Sequence, residues 1–176
     1  GAGSEPDMRI ILSRKGFDSA AGGGPSPIVD GRPISLPIPA GAASRTRSRD
    51  LGLGELVAKA SRGKLVADDW CHHDPMFLDT GQCLFGQVGA AQTHLVNQGV
   101  GIGDIFVFFG LFQEAGSDPH HRIFAYQRIE RIIDLATCHQ SDNLEIARHL
   151  HPHALKMHGT NDVIYIGEGK QAAHAS

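Results

Sequence analysis

The sequence predicts a single α+β domain, over residues 8–176, built on a curved and mostly antiparallel sheet with a few short helices. Strand-like segments, about six or seven by hydrophobic pattern, outnumber the helical ones. The strands do not alternate strictly with helices, as they would in a doubly wound parallel sheet. A chain of 176 residues that is 41% hydrophobic and holds 22 glycines suits one domain with many loops.

The N-terminal third contains a short strand and a hairpin. Residues 10–12 are an apolar run that predicts the first strand. Residues 28–29 and 33–39 flank Asp30-Gly31, a dipeptide typical of hairpin turns. Because proline donates no backbone hydrogen bond, the proline-rich second strand is expected at an edge of the sheet.

Three segments have helical signals. Apolar residues recur at helical spacing over residues 53–61. The composition of residues 86–98 is helical, and Gly99 follows as helix C-termini favour. A third helix is predicted over residues 142–149, where Asp142 fits the N-cap.

The later strands follow from apolar runs. Residues 105–109 are the most apolar run in the chain and predict a buried strand. Residues 122–133 alternate in part and predict its partner, and residues 162–166 predict the last strand. The order of Gly103-Asp104, hydrophobic strand and second strand also resembles the central hairpin of PUA-like and ASCH-like barrels.

Charge and cysteine content exclude several classes of protein. The formal net charge is −3 with 11 neutral histidines, which excludes a strongly basic nucleic-acid coat. The 3 cysteines are widely spaced without C-x-x-C, which indicates free thiols in a reducing compartment. No apolar run approaches ~18 residues, so no membrane partner is expected and a cytoplasmic protein is predicted. The first seven residues, before Met8, are interpreted as a remnant of expression.

A glycine-rich loop follows the first strand and offers an anion site. Glycine-rich turns expose backbone N–H groups, and Arg and Lys add charge. The loop has no G-x-x-x-x-G-K-[ST] pattern, so a common triphosphate site is not indicated. A purely structural loop is the alternative. The candidate substrate-binding residues here are Ser13, Arg14, Lys15, Ser19, Gly22, Gly23 and Gly24, with Asp18 as a candidate catalytic carboxylate.

A second candidate lies in residues 68–74, which hold carboxylates, imidazoles and a thiol. Such groups could bind a metal or supply a general acid and base. Their spacing matches no standard zinc pattern, and adjacent His72 and His73 would rarely aim at one ion, so no metal is assigned. Asp69 and His72 are catalytic candidates, and a hydrogen-bonded polar loop is the alternative.

The predicted helix over 86–98 offers polar groups beside small residues. Gln87, Gln92, His94 and Asn97 carry amide and imidazole groups that suit base edges. The alternative is a small-residue helix packed on the sheet, with His94 satisfied in the core. Farther along, residues 149, 151 and 153 are histidines around Pro152, and a surface cluster is the favoured interpretation of them.

Taken together, several motifs resemble the third nucleotide-modification-associated domain family. The resemblance extends from Met8 to about Phe112, and residues 71–75 are similar to a family segment in which leucine is common where His73 stands. The family's occurrence beside phage and bacterial DNA-modification genes implies a role in making, processing or recognising modified bases. The motifs are SRKGFDS at 13–19, GGGPSPI at 22–28, FGQVGAAQ at 85–92, His94, NQGVG at 97–101 and Gly103-Asp104.

The resemblance and the residues together lead to a functional hypothesis. An enzyme acting on a nucleotide or on a base in DNA is expected, by glycosidic-bond or group-transfer chemistry. Its roles would be phosphate binding by Arg14 and Lys15, acid/base or sugar contact by Asp18, base reading by Gln87, Gln92, His94 and Asn97, and proton transfer by Asp69 or His72.

The expected partners are a nucleotide or DNA and proteins of a DNA-modification pathway, and no cofactor follows from the sequence. Arg45, Arg47 and Arg49, in a segment interpreted as a mobile basic loop, could contact a DNA backbone. The rival hypothesis is a non-catalytic PUA-like module that recognises a modified base.

Overall fold

A computed structural model describes residues 7–41, 44–155 and 159–173. The interpretation of the first seven residues therefore concerns a segment that lies, except for Asp7, outside the described residues. The strands in the described part of the chain are β1 (Ile10–Arg14), β2 (Ser26–Val29), β3 (Arg32–Pro33), β4 (Met76–Phe77), β5 (Gln82–Gln87), β6 (Ile105–Glu114), β7 (His120–Arg128), β8 (Arg131–Asp134) and β9 (Val163–Gln171). The helices are α1 (Gly54–Ala60), α2 (Gly89–Asn97), α3 (Gln140–Arg148), α4 (Pro152–Leu155) and a 3-10 helix at Ser48–Leu51.

All the strands belong to one mixed, curled sheet that forms half a barrel. Its main order is β3-β2-β6-β7-β9-β5-β4, with β1 beside β6 and β8 beside β9. Most pairs are antiparallel, whereas β1 and β2 pair in parallel with successive parts of β6. The predicted α+β class with a curved, mostly antiparallel sheet is confirmed. The predicted edge position of the hairpin is confirmed as well, since β3 ends the order.

The largest core cluster is rich in aromatic side chains from the long strands. Burial alternates along β6, because successive side chains of a strand point to opposite faces. Phe106 and Phe108 are almost fully buried and pack edge-on against Phe85 with ring centres 4.9 Å away. Tyr165 of β9 completes this layer. Offset aromatic pairs of this kind fix β5, β6 and β9 relative to one another.

Two element boundaries differ from the prediction. The helix expected from residue 86 begins at Gly89, because Gly86 and Gln87 pair with Ile164 and Val163 as the end of β5. The third helix begins at Gln140 rather than at an Asp142 N-cap, and its N-cap is His139. The Asp142 carboxylate instead lies 3.3 Å from Arg131.

Two further segments differ from their predicted structure. The second hairpin strand was predicted over residues 33–39, but β3 has two residues. The segment interpreted as a basic loop contains the 3-10 helix and buries Ser44, Thr46 and Ser48. The Ser44 hydroxyl donates to the Cys71 carbonyl at 2.8 Å, which ties this segment to the histidine-containing one.

Candidate functional site

A cleft of about 340 Å³ lies where several segments of the chain meet. One wall is formed by the end of β1 and the loop after it, with Arg14, Lys15 and Asp18. A second wall is the C-terminal end of β5, including Gln87. The floor is formed by residues 72 and 74, before β4, together with His153 of α4.

Asp74 is the centre of this floor, and its side chain is only 4% exposed. The backbone N–H of Gly86 donates to both of its carboxylate oxygens, at 3.0 and 3.3 Å. The ring of His151, with no exposed side-chain surface, places Nε2 3.0 Å from Oδ1. His153 and His72 place Nε2 3.5 and 3.7 Å from Oδ2. Three imidazoles therefore surround one buried carboxylate.

The charge of Asp74 is well stabilised. Burial acts to raise the pKa of this carboxyl, but the charge and hydrogen bond of His151, with further contributions from His72 and His153, hold the pKa well below its usual range. These contacts favour the ionised form of Asp74. A buried anion must be paired, which explains the ring of imidazole and N–H groups.

The tautomers of the two buried histidines follow from their second contacts. The backbone N–H of His153 donates to Nδ1 of His151 at 3.3 Å, so a neutral His151 ring has its proton on Nε2, from which it donates to Asp74. Nδ1 of His153 is hydrogen-bonded to the fully buried carboxylate of Asp162. A neutral His153 then has its lone pair on Nε2, toward Asp74. Burial lowers the pKa of His153, against the attraction of Asp74 and Asp162.

Local sequence explains how these groups come together. Pro152 stands at the first position of α4, where proline needs no N–H partner, and this short helix presents His153 to the cleft. Gly86 lies directly against that ring, since an added Cβ would be 2.3 Å from Cδ2 of His153. A glycine in β5 is therefore what allows the imidazole to reach Asp74.

The basic wall is organised by Asp18. The Asp18 Oδ1 atom accepts the backbone N–H groups of Ala20 and Ala21 at 2.8 and 2.6 Å. Its Oδ2 lies 3.3 Å from the Arg14 guanidinium. Lys15 places Nζ 4.7 Å from the Phe85 ring centre. Burial lowers the pKa of Lys15, and the Asp74 carboxylate acts in the opposite direction.

The structure brings some of the sequence-predicted residues together in this cleft: Arg14, Lys15, Asp18, His72 and Gln87. His94 and Asn97 are exposed on α2 and line a separate groove against β1. Gln92 is buried and accepts a hydrogen bond from the Tyr165 hydroxyl at 2.8 Å. The Asp69 carboxylate accepts the Val66 N–H at 2.7 Å.

The remaining candidate residues of the loop and of β1 do not line this cleft. Gly22 packs on the Phe17 ring, 2.5 Å from where its Cβ would be. Gly23 and Gly24 line another cavity beside α1. Ser19 is exposed, and Ser13 is half-buried in β1 opposite Phe108 of β6. The glycines thus shape the loop rather than face the cleft.

The surface interpretation of the late histidines was wrong for two of them. His151 and His153 are buried, at 0% and 4% exposure, because they surround Asp74. His149 is exposed as expected. His158 and His174 lie outside the described residues. Asp74 lies in the candidate segment 68–74 but was not singled out there, and Asp162 was not among the candidates.

The three arginines proposed for a DNA backbone have contacts within the protein. The Arg47 guanidinium stacks 4.2 Å from the Trp70 ring centre, and Arg49 pairs with Asp68 at 2.7 Å. Arg45 is exposed and donates to the Ser44 carbonyl at 3.3 Å. These contacts help hold the segment to residues 68–70.

A comparison with protein families gives one match, nucleotide modification associated domain 3, over residues 9–176. The chain belongs to this family. The family match continues beyond Phe112, where the motifs that carry the resemblance end. It includes α4 and Asp162, and therefore the whole floor of the cleft. Neither the curated proteins nor the solved structures contain a significant match.

The family description associates the domain with nucleotide modification. Among the described residues, no helix is both long and apolar enough to cross a membrane.

Proposed function

We propose that this protein is an enzyme that acts on a nucleotide, or on a nucleotide unit of DNA, in the cleft above Asp74. The observation that carries the proposal is the polarity of that cleft. Two cationic side chains lie on one wall, and a buried carboxylate surrounded by imidazoles forms the floor. A nucleotide has the same polarity, with an anionic phosphate at one end and a reactive sugar–base unit at the other.

The basic wall would bind the phosphate. Arg14 offers a planar guanidinium, which suits phosphate oxygens, and Lys15 offers a point charge from the same loop. The Asp18 carboxylate accepts hydrogen bonds from the loop backbone and forms an ion pair with Arg14. We therefore assign Asp18 to positioning Arg14 rather than to proton transfer.

The floor would meet the reacting part of the substrate. Asp74, His151 and His153 are almost completely enclosed, whereas the His72 side chain is 23% exposed. His72 is thus the member of the cluster that a substrate in the cleft can touch. Gln87, which also lines the cleft, offers an amide that can hydrogen-bond to a base edge. Base recognition by Gln92, His94 or Asn97 is not part of the proposal, because these residues are buried elsewhere or face another groove.

Product analysis tests this function. The protein would be incubated with plain DNA, with DNA carrying modified bases and with free nucleotides, and the samples digested to nucleosides for mass spectrometry. We expect a new or missing nucleoside peak with the wild-type protein. With His72→Ala, we expect the nucleoside profile of the substrate to stay unaltered. The exposed control His149→Ala should turn over substrate as the wild type does.

Two results would contradict an enzyme. An unchanged profile together with tighter binding of modified DNA would support the rival hypothesis of a non-catalytic reader. If His72→Ala retains wild-type turnover, the residues at the floor of this cleft take no part in the reaction. Circular dichroism of each variant separates lost chemistry from lost fold.

A further inference from the structure

We propose that His72, Asp74 and His153 bind one divalent transition-metal ion at the floor of the cleft. Each contributes one donor atom, and these three atoms all lie within 4.8 Å of one another. The proposal concerns binding of the ion and does not rest on the proposed reaction.

The separations suit a common metal. Zinc binds imidazole nitrogen and carboxylate oxygen at about 2.0–2.2 Å, so tetrahedral geometry places its ligand atoms roughly 3.3–3.6 Å apart. Nε2 of His153 and Nε2 of His72 lie 3.5 and 3.7 Å from Oδ2 of Asp74. The two rings face each other edge-on, with centres 5.5 Å apart. Small ring rotations would bring all three atoms onto one ion.

The surrounding hydrogen bonds aim the donor electron pairs at that point. His153 is hydrogen-bonded through Nδ1 to Asp162, which is fully buried. Carboxylate–histidine pairs of this kind fix the tautomer and orientation of metal-bound imidazoles. Asp74 is held in the same way, since Gly86 donates to both of its oxygens and His151 donates to Oδ1. Oδ2 of Asp74 is the oxygen that lies near the two Nε2 atoms.

The donor set indicates which ions would bind. Two imidazoles and one carboxylate suit zinc and ferrous iron, whereas calcium and magnesium prefer all-oxygen sites. Three protein ligands leave coordination positions open, as catalytic zinc sites do. Those positions would face the cleft through His72, the least buried of the three. A metal here would thus lie in the cleft that Arg14 and Lys15 also line.

The adjacent histidine does not take part. His73 lines a different cavity, with Phe77 and Phe124, which agrees with the expectation that two neighbouring histidines rarely aim at one ion. The second imidazole comes instead from a residue 81 positions after His72. Local spacing therefore carries no zinc pattern, although the folded chain assembles the ligands.

To test this, the protein would first be freed of metal with a chelator, and metal binding would then be measured. Zinc would be titrated by calorimetry, and cobalt by its visible absorption, which reports coordination geometry. We expect one tightly bound ion per chain. Asp162→Asn should weaken binding by about 10- to 100-fold, His72→Ala should weaken it further, and His149→Ala should bind as the wild type does.

Both His72→Ala and Asp162→Asn are expected to fold. His72 is at the surface of the cleft, and Asn retains an acceptor for Nδ1 of His153, so circular dichroism should be unchanged for both. The proposal is overturned if the wild type binds no zinc or cobalt. It is equally overturned if an ion binds with the same affinity after His72→Ala and Asp162→Asn in folded protein.

Discussion

His72 and His73 are neighbours in the chain with opposite surroundings. His72 lines the cleft, whereas His73 lines a different cavity. Burial is the main cause that lowers the pKa of His73 to about 4, helped by the nearby charges of His151 and His72 and opposed by Asp74. His73 therefore stays neutral in the folded protein, while in the unfolded chain its pKa is close to 6.5.

A leucine at this position should change the acid dependence of stability. The unfolded chain takes up a proton on His73 below pH 6.5, and the folded protein resists until about pH 4. The stability that His73 contributes above pH 6.5 is thus lost as the pH falls toward 4, by up to about 1.4 kcal/mol per pH unit. His73→Leu should unfold in urea with a shallower loss of stability between pH 6.5 and 4. An identical slope in the two proteins would contradict the buried neutral ring.

Some site residues could be predicted and others could not, for a physical reason. Arg14, Lys15 and His72 belong to compact motifs, so their side chains stand out locally. Asp74 meets His151 across 77 positions of the chain, and no spacing rule encodes a pair that only the fold creates. The histidines after residue 148 therefore suggested a solvated cluster.

At the scale of elements, β5 connects the core to the site. Its buried residues, including Phe85, pack on β6, and the next residue, Gly86, donates its N–H to Asp74 and lies against the ring of His153. The sequence suggested a helix here, since small residues and amides dominate 86–98. Pairing of Gly86 with Ile164 of β9 outweighs that local preference, because tertiary pairing overrides intrinsic propensity.

Gly86→Ala should disrupt the cleft floor. The added Cβ would be 2.3 Å from the His153 ring, so the imidazole must move, and overpacking of this kind costs about 1–3 kcal/mol. We expect a lower free energy of unfolding together with weakened zinc binding. Gly101→Ala is the control, because its Cβ would meet no atom within 4 Å. Equal stability and zinc affinity in the two variants would contradict the close approach described here.

At the scale of the whole molecule, the curled sheet is what gathers the cleft. The loop after β1, the segment before β4 and helix α4 are far apart in sequence, and β6 and β9 bring them together. The α+β class could be predicted, since it depends on the number and order of elements. The parallel pairing of β1 and β2 with β6 could not, because hydrophobic pattern does not specify which strand lies beside which.

A crystal structure with a bound deoxynucleoside monophosphate would show directly whether this cleft binds a nucleotide. We expect phosphate oxygens at roughly 2.7–3.2 Å from the side-chain nitrogens of Arg14 and Lys15. We also expect the sugar or base to contact His72. A nucleotide bound instead in the groove beside His94 and Asn97, or with its phosphate away from Arg14 and Lys15, would contradict nucleotide binding in the cleft above Asp74.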